Sequence, residues 1–269
     1  MKWLSGTALL LSLLLANSAL GKPRIVALSP HLTEWVYSLK MGDALVGASA
    51  YSDYPAQAES IPRVADYNGV NFRALMALSP DIVLAWQGGN KPQDIARLKQ
   101  LGYTVFLSSV HTPDDIPDEL EALGNILDKN TLATTLATDF REALARIRAQ
   151  YQRTSPTPVF YYSWTSPLMT VGENAWPNHL LATCGAETIF SDAPNDYPQV
   201  SVQEVLKRQP ALLIAATKAS AEQAGTFWQP HHEVLDAPLM TVDPDITSRF
   251  TLRLLPALRK LCEGVSEVR

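Results

Sequence analysis

Two Rossmann-like α/β lobes with mostly parallel sheets, joined by one long rigid α-helix, are the architecture this 269-residue sequence predicts. Three observations carry the prediction. Strand-like apolar runs alternate with helical patterns, a 19-residue segment recurs in the second half, and an uninterrupted amphipathic stretch lies between the halves. Near-continuous Val/Ile/Leu runs separated by helices indicate parallel sheets covered on both faces.

The strand-like runs of the first half are "RIVALS", "ALVGAS", "DIVLAW" and "YTVFLSS"; those of the second are "PVFYYSW", "ALLIAAT" and "PLMTVD". Helical patterns fall between them, as in "PQDIARLKQLG" and "DDIPDELEALGNILD". The recurring segment is "YNGVNFRALMALSPDIVLA" from Tyr67 and "YPQVSVQEVLKRQPALLIA" from Tyr197. An offset of 130 residues separates Tyr67 from Tyr197, Asn71 from Ser201 and Pro80 from Pro210. Asn71 and Ser201 are residue types that cap a helix start by accepting from free N–H groups, and each proline stops the helix before a strand.

Asn130 to Gln152 places Leu132, Leu136, Phe140, Leu144, Ile147 and Tyr151 at three- and four-residue steps, with no glycine or proline inside. This predicts a helix of roughly 30 Å, long enough to cross between lobes and stiff enough to oppose a large hinge motion. The expected division is residues 1–21, 22–129, 130–153 and 154–269.

Residues 1–21 have the form of a secretory signal peptide: a lysine, an apolar stretch and the small residues Ala19 and Gly21 near the cut. No cysteine follows the cut, so a soluble exported protein is expected, in a periplasm. The two cysteines, Cys184 and Cys262, lie in the C-terminal lobe. An oxidising compartment favours a disulfide over two buried thiols. A net charge of −5 without a basic block argues against nucleic acid. The sequence holds no G-x-S-x-G, P-loop, G-x-G-x-x-G, H-E-x-x-H or C-x-x-C, so no enzyme and no catalytic residue is expected. Its five histidines do not form a metal-ligand spacing, and His31 reads as a helix start.

Ligands of open α/β sheets bind beyond the carboxyl ends of the strands, so two facing lobes predict a cleft between them. Aromatic residues gather at those ends: Tyr51 and Tyr54 after "ALVGAS", Trp86 after "DIVLA", Trp164 after "VFYYS", and Tyr67 and Tyr197 at equivalent places in the repeat. Together they predict a stacking surface for a large flat ligand. "VDPDITSRFTLR" adds Asp245, Thr247, Ser248 and Arg249 as polar candidates. Tyr54 and Pro55 are expected to form the turn that holds Tyr51, and Asp53 either to form that turn or to touch the ligand, with turn chemistry favoured.

"PRIVALSPHLTEWVYSL", "VGASAYSDYP", "LSPDIVLAWQGGN", "LATCGAETIF" and "YPQVSVQEVL" together closely resemble the cobalamin-binding group of the helical-backbone (class III) periplasmic substrate-binding proteins, which serve ABC importers. The resemblance runs from Pro23 to Cys262. It implies a corrinoid held between the lobes as transported ligand rather than cofactor, a monomer, and an inner-membrane permease as partner. Tyr51, Trp86, Asp245 and Arg249 match contact positions of that group. Tyr67 and Tyr197 stand where the group often has tryptophan. The cysteines match its disulfide. The group also carries a glutamate two residues after each N-cap for docking permease arginines. Here those positions hold Arg73 and Gln203, with Glu204 one step away. Binding of haem, with Tyr51 or Tyr67 on iron, or of a siderophore is the alternative on the same scaffold.

Overall fold

The computed structural model describes residues 22–268; the signal-peptide reading of residues 1–21 lies outside them. The chain runs β1 (Ile25–Ala27), α1 (Pro30–Ser38), β2 (Leu45–Ser49), β3 (Arg63–Asp66), β4 (Gly69–Val70), α2 (Phe72–Ala77), β5 (Ile82–Trp86), α3 (Pro92–Gln100), β6 (Thr104–Ser108) and α4 (Asp115–Ile126). Then α5 (Asn130–Tyr151) leads into β7 (Thr157–Thr165), β8 (Leu168–Thr170), α6 (Trp176–Thr183), β9 (Ala186–Thr188), α7 (Val202–Arg208) and β10 (Leu212–Ala216). The chain ends with α8 (Ala221–Gly225), β11 (Leu239–Val242), α9 (Pro244–Thr247) and α10 (Leu254–Glu267).

All seven strands expected from apolar runs form. They build two sheets, ordered β4-β3-β2-β1-β5-β6 and β11-β10-β7-β8, with β9 beside the start of β7. Pairing is parallel except for β3 with β4 and β7 with β8. The fold is therefore mixed α/β with two mostly parallel sheets, as the alternation requires. The repeat appears as matched elements: Asn71 and Ser201 accept from the backbone N–H of Ala74 and Glu204, at 3.1 and 3.2 Å. After each helix comes a strand, β5 or β10, whose bounds differ by the same 130 residues.

Period-2 alternation divides each sheet between two environments. In β1, Ile25 and Ala27 face a large core while Val26 and Leu28 face a smaller one against α2 and α3. In β10, Leu212, Ile214 and Ala216 join the large core while Leu213 and Ala215 face an outer one with Trp228 and Val205. The large core is continuous through both sheets, and α5 contributes Phe140, Leu144 and Ile147 to it. It also holds Leu254, Leu258, Leu261 and Val265 of α10.

The helix α5 has 22 residues, about 33 Å of rise. Its buried stripe differs from expectation in the first half. Ala133 and Ala137 are fully buried and Leu132 and Leu136 only partly so. The cause is close packing by α4: a Cβ on Gly124 would collide with that of Ala133, so small residues occupy the line of contact. From Phe140 onward the expected residues are buried. Cys184, at the end of α6, and Cys262, in α10, form a disulfide inside the second lobe. Among the described residues no helix is long and apolar enough to cross a membrane.

Candidate functional site

The segment after β2 is held by buried hydroxyls. Ser52 accepts a hydrogen bond from Thr33 (3.1 Å) and shares one with Ser49 (3.1 Å), while Arg63 donates to the Ser52 carbonyl (2.9 Å). Tyr51, one residue earlier, has φ +61°, a left-handed conformation uncommon for an aromatic residue. Its ring is 74% exposed. A fixed loop thus holds an apolar ring in water through an unfavourable backbone angle, a combination that occurs at ligand sites.

Trp86 closes β5. Asn90 accepts from the Trp86 N–H (2.8 Å) and donates to Leu28 O (2.9 Å), tying the turn to β1. Side chains at Gly88 or Gly89 would strike the Trp86 ring, so the glycine pair lets the turn pass under the indole. The ring is half-buried against His31 (5.5 Å between centroids) and Phe250 (5.3 Å).

Phe250 comes from the other lobe, and sequence reasoning missed it. It contacts His31 (5.0 Å) and Trp176 (4.5 Å), and its carbonyl accepts from the Trp35 indole N–H (2.7 Å). Tyr197 lies against the Trp176 backbone, and burial of its hydroxyl raises its pKa. His31 begins α1, as read from sequence, and is fully enclosed. Its ring nitrogens meet Ser29 Oγ (3.0 Å) and Ser108 Oγ (3.3 Å), and burial pushes its pKa down to about 3. It is a neutral, hydrogen-bonded wedge under Trp86.

Beside the aromatic seam lies an ionic one. Arg249, 8% exposed, donates to Asp53 at 2.6 and 3.3 Å and to Glu34 at 3.3 Å. Arg253 donates to Glu34 at 2.5 and 2.8 Å and lies over the Tyr54 ring, 3.8 Å from its centroid. Asp245 pairs with Lys218 and stands 3.7 Å from Arg249. Asp53 reaches across to the second lobe instead of closing its own turn, and Arg249, a candidate ligand contact in the sequence, is hydrogen-bonded to two carboxylates. The hydrogen bonds from Arg249 hold the Asp53 carboxyl below its usual range. Glu34 gave no sequence signal, because its partners are 215 and 219 residues away.

Tyr67 (84%), Trp164 (67%) and Tyr197 (56%) join Tyr51 as exposed rings. Contiguous exposed aromatics mark interaction surfaces when they gather on one face; here Tyr51 follows β2, Tyr67 follows β3, Tyr197 precedes α7, and Trp164, expected after a strand, lies inside the end of β7 paired with Met169 of β8. Arg73 and Gln203 are exposed in the first turns of α2 and α7. Glu204 is half-buried and accepts from Arg208 (3.1 Å), which also binds Asp192. Among the described residues, no three His, Cys, Asp or Glu side chains are grouped to hold a metal ion.

The family model described as periplasmic binding protein matches residues 25–236. The vitamin B12-binding protein of Vibrio cholerae serotype O1 is 36% identical over 258 residues, 93% of each chain. That of Pectobacterium carotovorum subsp. carotovorum is 37% identical over 268 residues, 98% of this chain and 94% of its own. The crystal structure of the periplasmic vitamin B12 binding protein BtuF of Vibrio cholerae superposes with a TM-score of 0.85 at 35% identity, covering 91% of this chain and 97% of that one. The periplasmic heme-binding protein RhuT from Roseiflexus shares the fold, with a TM-score of 0.80 at 20% identity. A two-sheet frame with its ring-lined junction, matched by the family model over residues 25–236 and by binding proteins over most of its length, identifies the chain as a member of the periplasmic binding protein family.

Proposed function

We propose that this chain is a periplasmic receptor that binds cobalamin between its two lobes and delivers it to the permease of an ABC importer. The observation that carries the reading is the set of aromatic side chains left exposed at strand ends of both sheets, in a chain 36–37% identical to vitamin B12-binding proteins. A corrin is a broad, flat ring with a rim of amides. Tyr51, Tyr67, Trp86 and Tyr197 offer faces and edges to the ring, and the Asp245–Arg249 loop offers polar contacts to the rim. The chain acts as a monomer after removal of residues 1–21 on export. A haem reading has no observation of its own, since heme-binding structures such as those from Roseiflexus and Pseudomonas aeruginosa, at 20% and 22% identity, share only the fold.

Docking to the permease falls to the first turns of α2 and α7, where Arg73 and Gln203 are exposed. Because Glu204 is paired with Arg208, it is not a free substitute for a docking glutamate. A neutral or acidic permease surface suits Arg73 better than an arginine does.

Titration with cyanocobalamin in a calorimeter tests the ligand. Saturable one-to-one binding at micromolar protein supports the reading, and folded protein giving only heat of dilution overturns it. Trp86→Ala should weaken binding by about tenfold or more, as loss of a central ring does at other interfaces.

A further inference from the structure

The ionic seam joins opposite charges from opposite lobes at the mouth of the site. Arg249 and Arg253 follow β11; Glu34 and Asp53 belong to α1 and the loop after β2. With Lys218 and Asp245 included, three cations face three carboxylates, and the cluster is neutral. Glu34 and Arg249 are almost fully buried, whereas the Asp53 side chain is 45% exposed. Asp53 therefore sits on Arg249 as a lid, with part of its carboxylate still in the cleft.

A buried guanidinium without that lid would be a strong anchor for a ligand carboxylate, because its planar fork matches the anion bidentately. Asp53 already makes that fork-to-fork contact, at 2.6 and 3.3 Å. An incoming carboxylate must displace Asp53 or approach a like charge, and both are unfavourable. A primary amide meets the opposite situation, because the exposed carboxylate edge accepts its N–H.

We propose that Asp53 is a specificity-determining residue: by occupying Arg249 and presenting acceptor oxygen to the cleft, it admits a macrocycle rimmed with amides and rejects one rimmed with carboxylates. The proposal rests on the corrinoid reading above and adds the chemistry by which the site tells a neutral rim from an anionic one. It assigns Arg249 to holding Asp53 rather than to a ligand phosphate.

The test compares two corrinoids with the same ring. Dicyanocobinamide carries an amide rim, and dicyanocobyrinic acid carries carboxylates. Affinities are measured by quenching of protein fluorescence for wild type, Asp53→Asn, Asp53→Ala and, as a control for net charge alone, Asp43→Asn. Asp43 is an exposed partner of Lys22. Wild type should prefer cobinamide by about a hundredfold. Asp53→Asn, an isostere, and Asp53→Ala, which also opens the volume over Arg249, should each narrow that ratio at least tenfold, mainly by gaining affinity for the acid. Asp43→Asn should leave it within about threefold. If wild type binds cobinamide and both Asp53 variants keep its ratio, or if Asp43→Asn narrows it equally, the specificity role is overturned and the corrinoid reading stands. If wild type binds neither probe, the corrinoid reading falls and this proposal with it.

Discussion

The two lobes repeat one plan and diverge where it meets the cleft. Tyr67, Asn71 and Pro80 have counterparts 130 residues on in Tyr197, Ser201 and Pro210, and the caps, helices and strands they specify coincide. Beyond the strand ends the likeness stops. After β5 comes an indole over two glycines; after β10 come Thr217 and Lys218. The first lobe supplies Glu34 and Asp53 to the junction, and the second supplies Arg249 and Arg253. The two lobes share the frame, and the loops that differ between them make the junction.

Perturbing what is shared, what is one-sided and what is repeated should give different signatures. The largest effect belongs to the shared core. Phe140→Ala removes a ring from the core that runs through both lobes and should cost about 3–5 kcal/mol, lowering the denaturation midpoint of both lobes together. Two separate transitions, one unmoved, would show that the core is not shared in solution. The disulfide is one-sided. Replacing both Cys184 and Cys262 by serine should cost about 2–5 kcal/mol through a sequence separation of 78 residues, with early hydrogen exchange confined to α6 and α10. Equal early exchange in the first lobe would break the comparison.

His31 is one-sided in the other direction. Its folded value of about 3 lies below the ordinary 6.5, so the unfolded chain takes up a proton that the folded chain refuses. Its stability contribution is whole above pH 6.5 and is lost as pH falls toward 3, by about 1.4 kcal/mol per unit within that window. Urea midpoints between pH 7 and 4 should therefore fall less steeply for His31→Gln than for wild type; parallel curves would assign the acid loss elsewhere. The smallest effects belong to the repeated caps. Asn71→Ala and Ser201→Ala should each cost about 1 kcal/mol, and a difference above about 1 kcal/mol between them would show the two helix starts to be unlike.

Much of the frame was legible because its signals are local. Seven apolar stretches gave β1, β2, β5, β6, β7, β10 and β11, and the caps and prolines gave the repeated helices. The strands β3, β4, β8 and β9 escaped because each is two to four residues long with charged, polar or glycine positions inside it, too little for an apolar pattern to show. The stripe on α5 was misread at Leu132 and Leu136 because sequence does not show how closely α4 approaches, and only small residues fit that contact. At the site, the rings could be read as strand-end residues. Glu34, Phe250 and the role of Asp53 could not, because their chemistry depends on partners across the cleft. A glutamate within "PHLTEWVYSL" looks like an ordinary helical surface residue until an arginine more than two hundred positions away closes over it.

The helix α10 packs on α5 and supplies five residues to the central core, Leu254, Leu258, Leu261, Cys262 and Val265. The part of α5 that α4 does not cover therefore waits for α10, a 14-residue helix from the other end of the chain. One helix thus ties the two ends of the sequence into a single cooperative unit: removing α10 should unsettle the first lobe as well as the second.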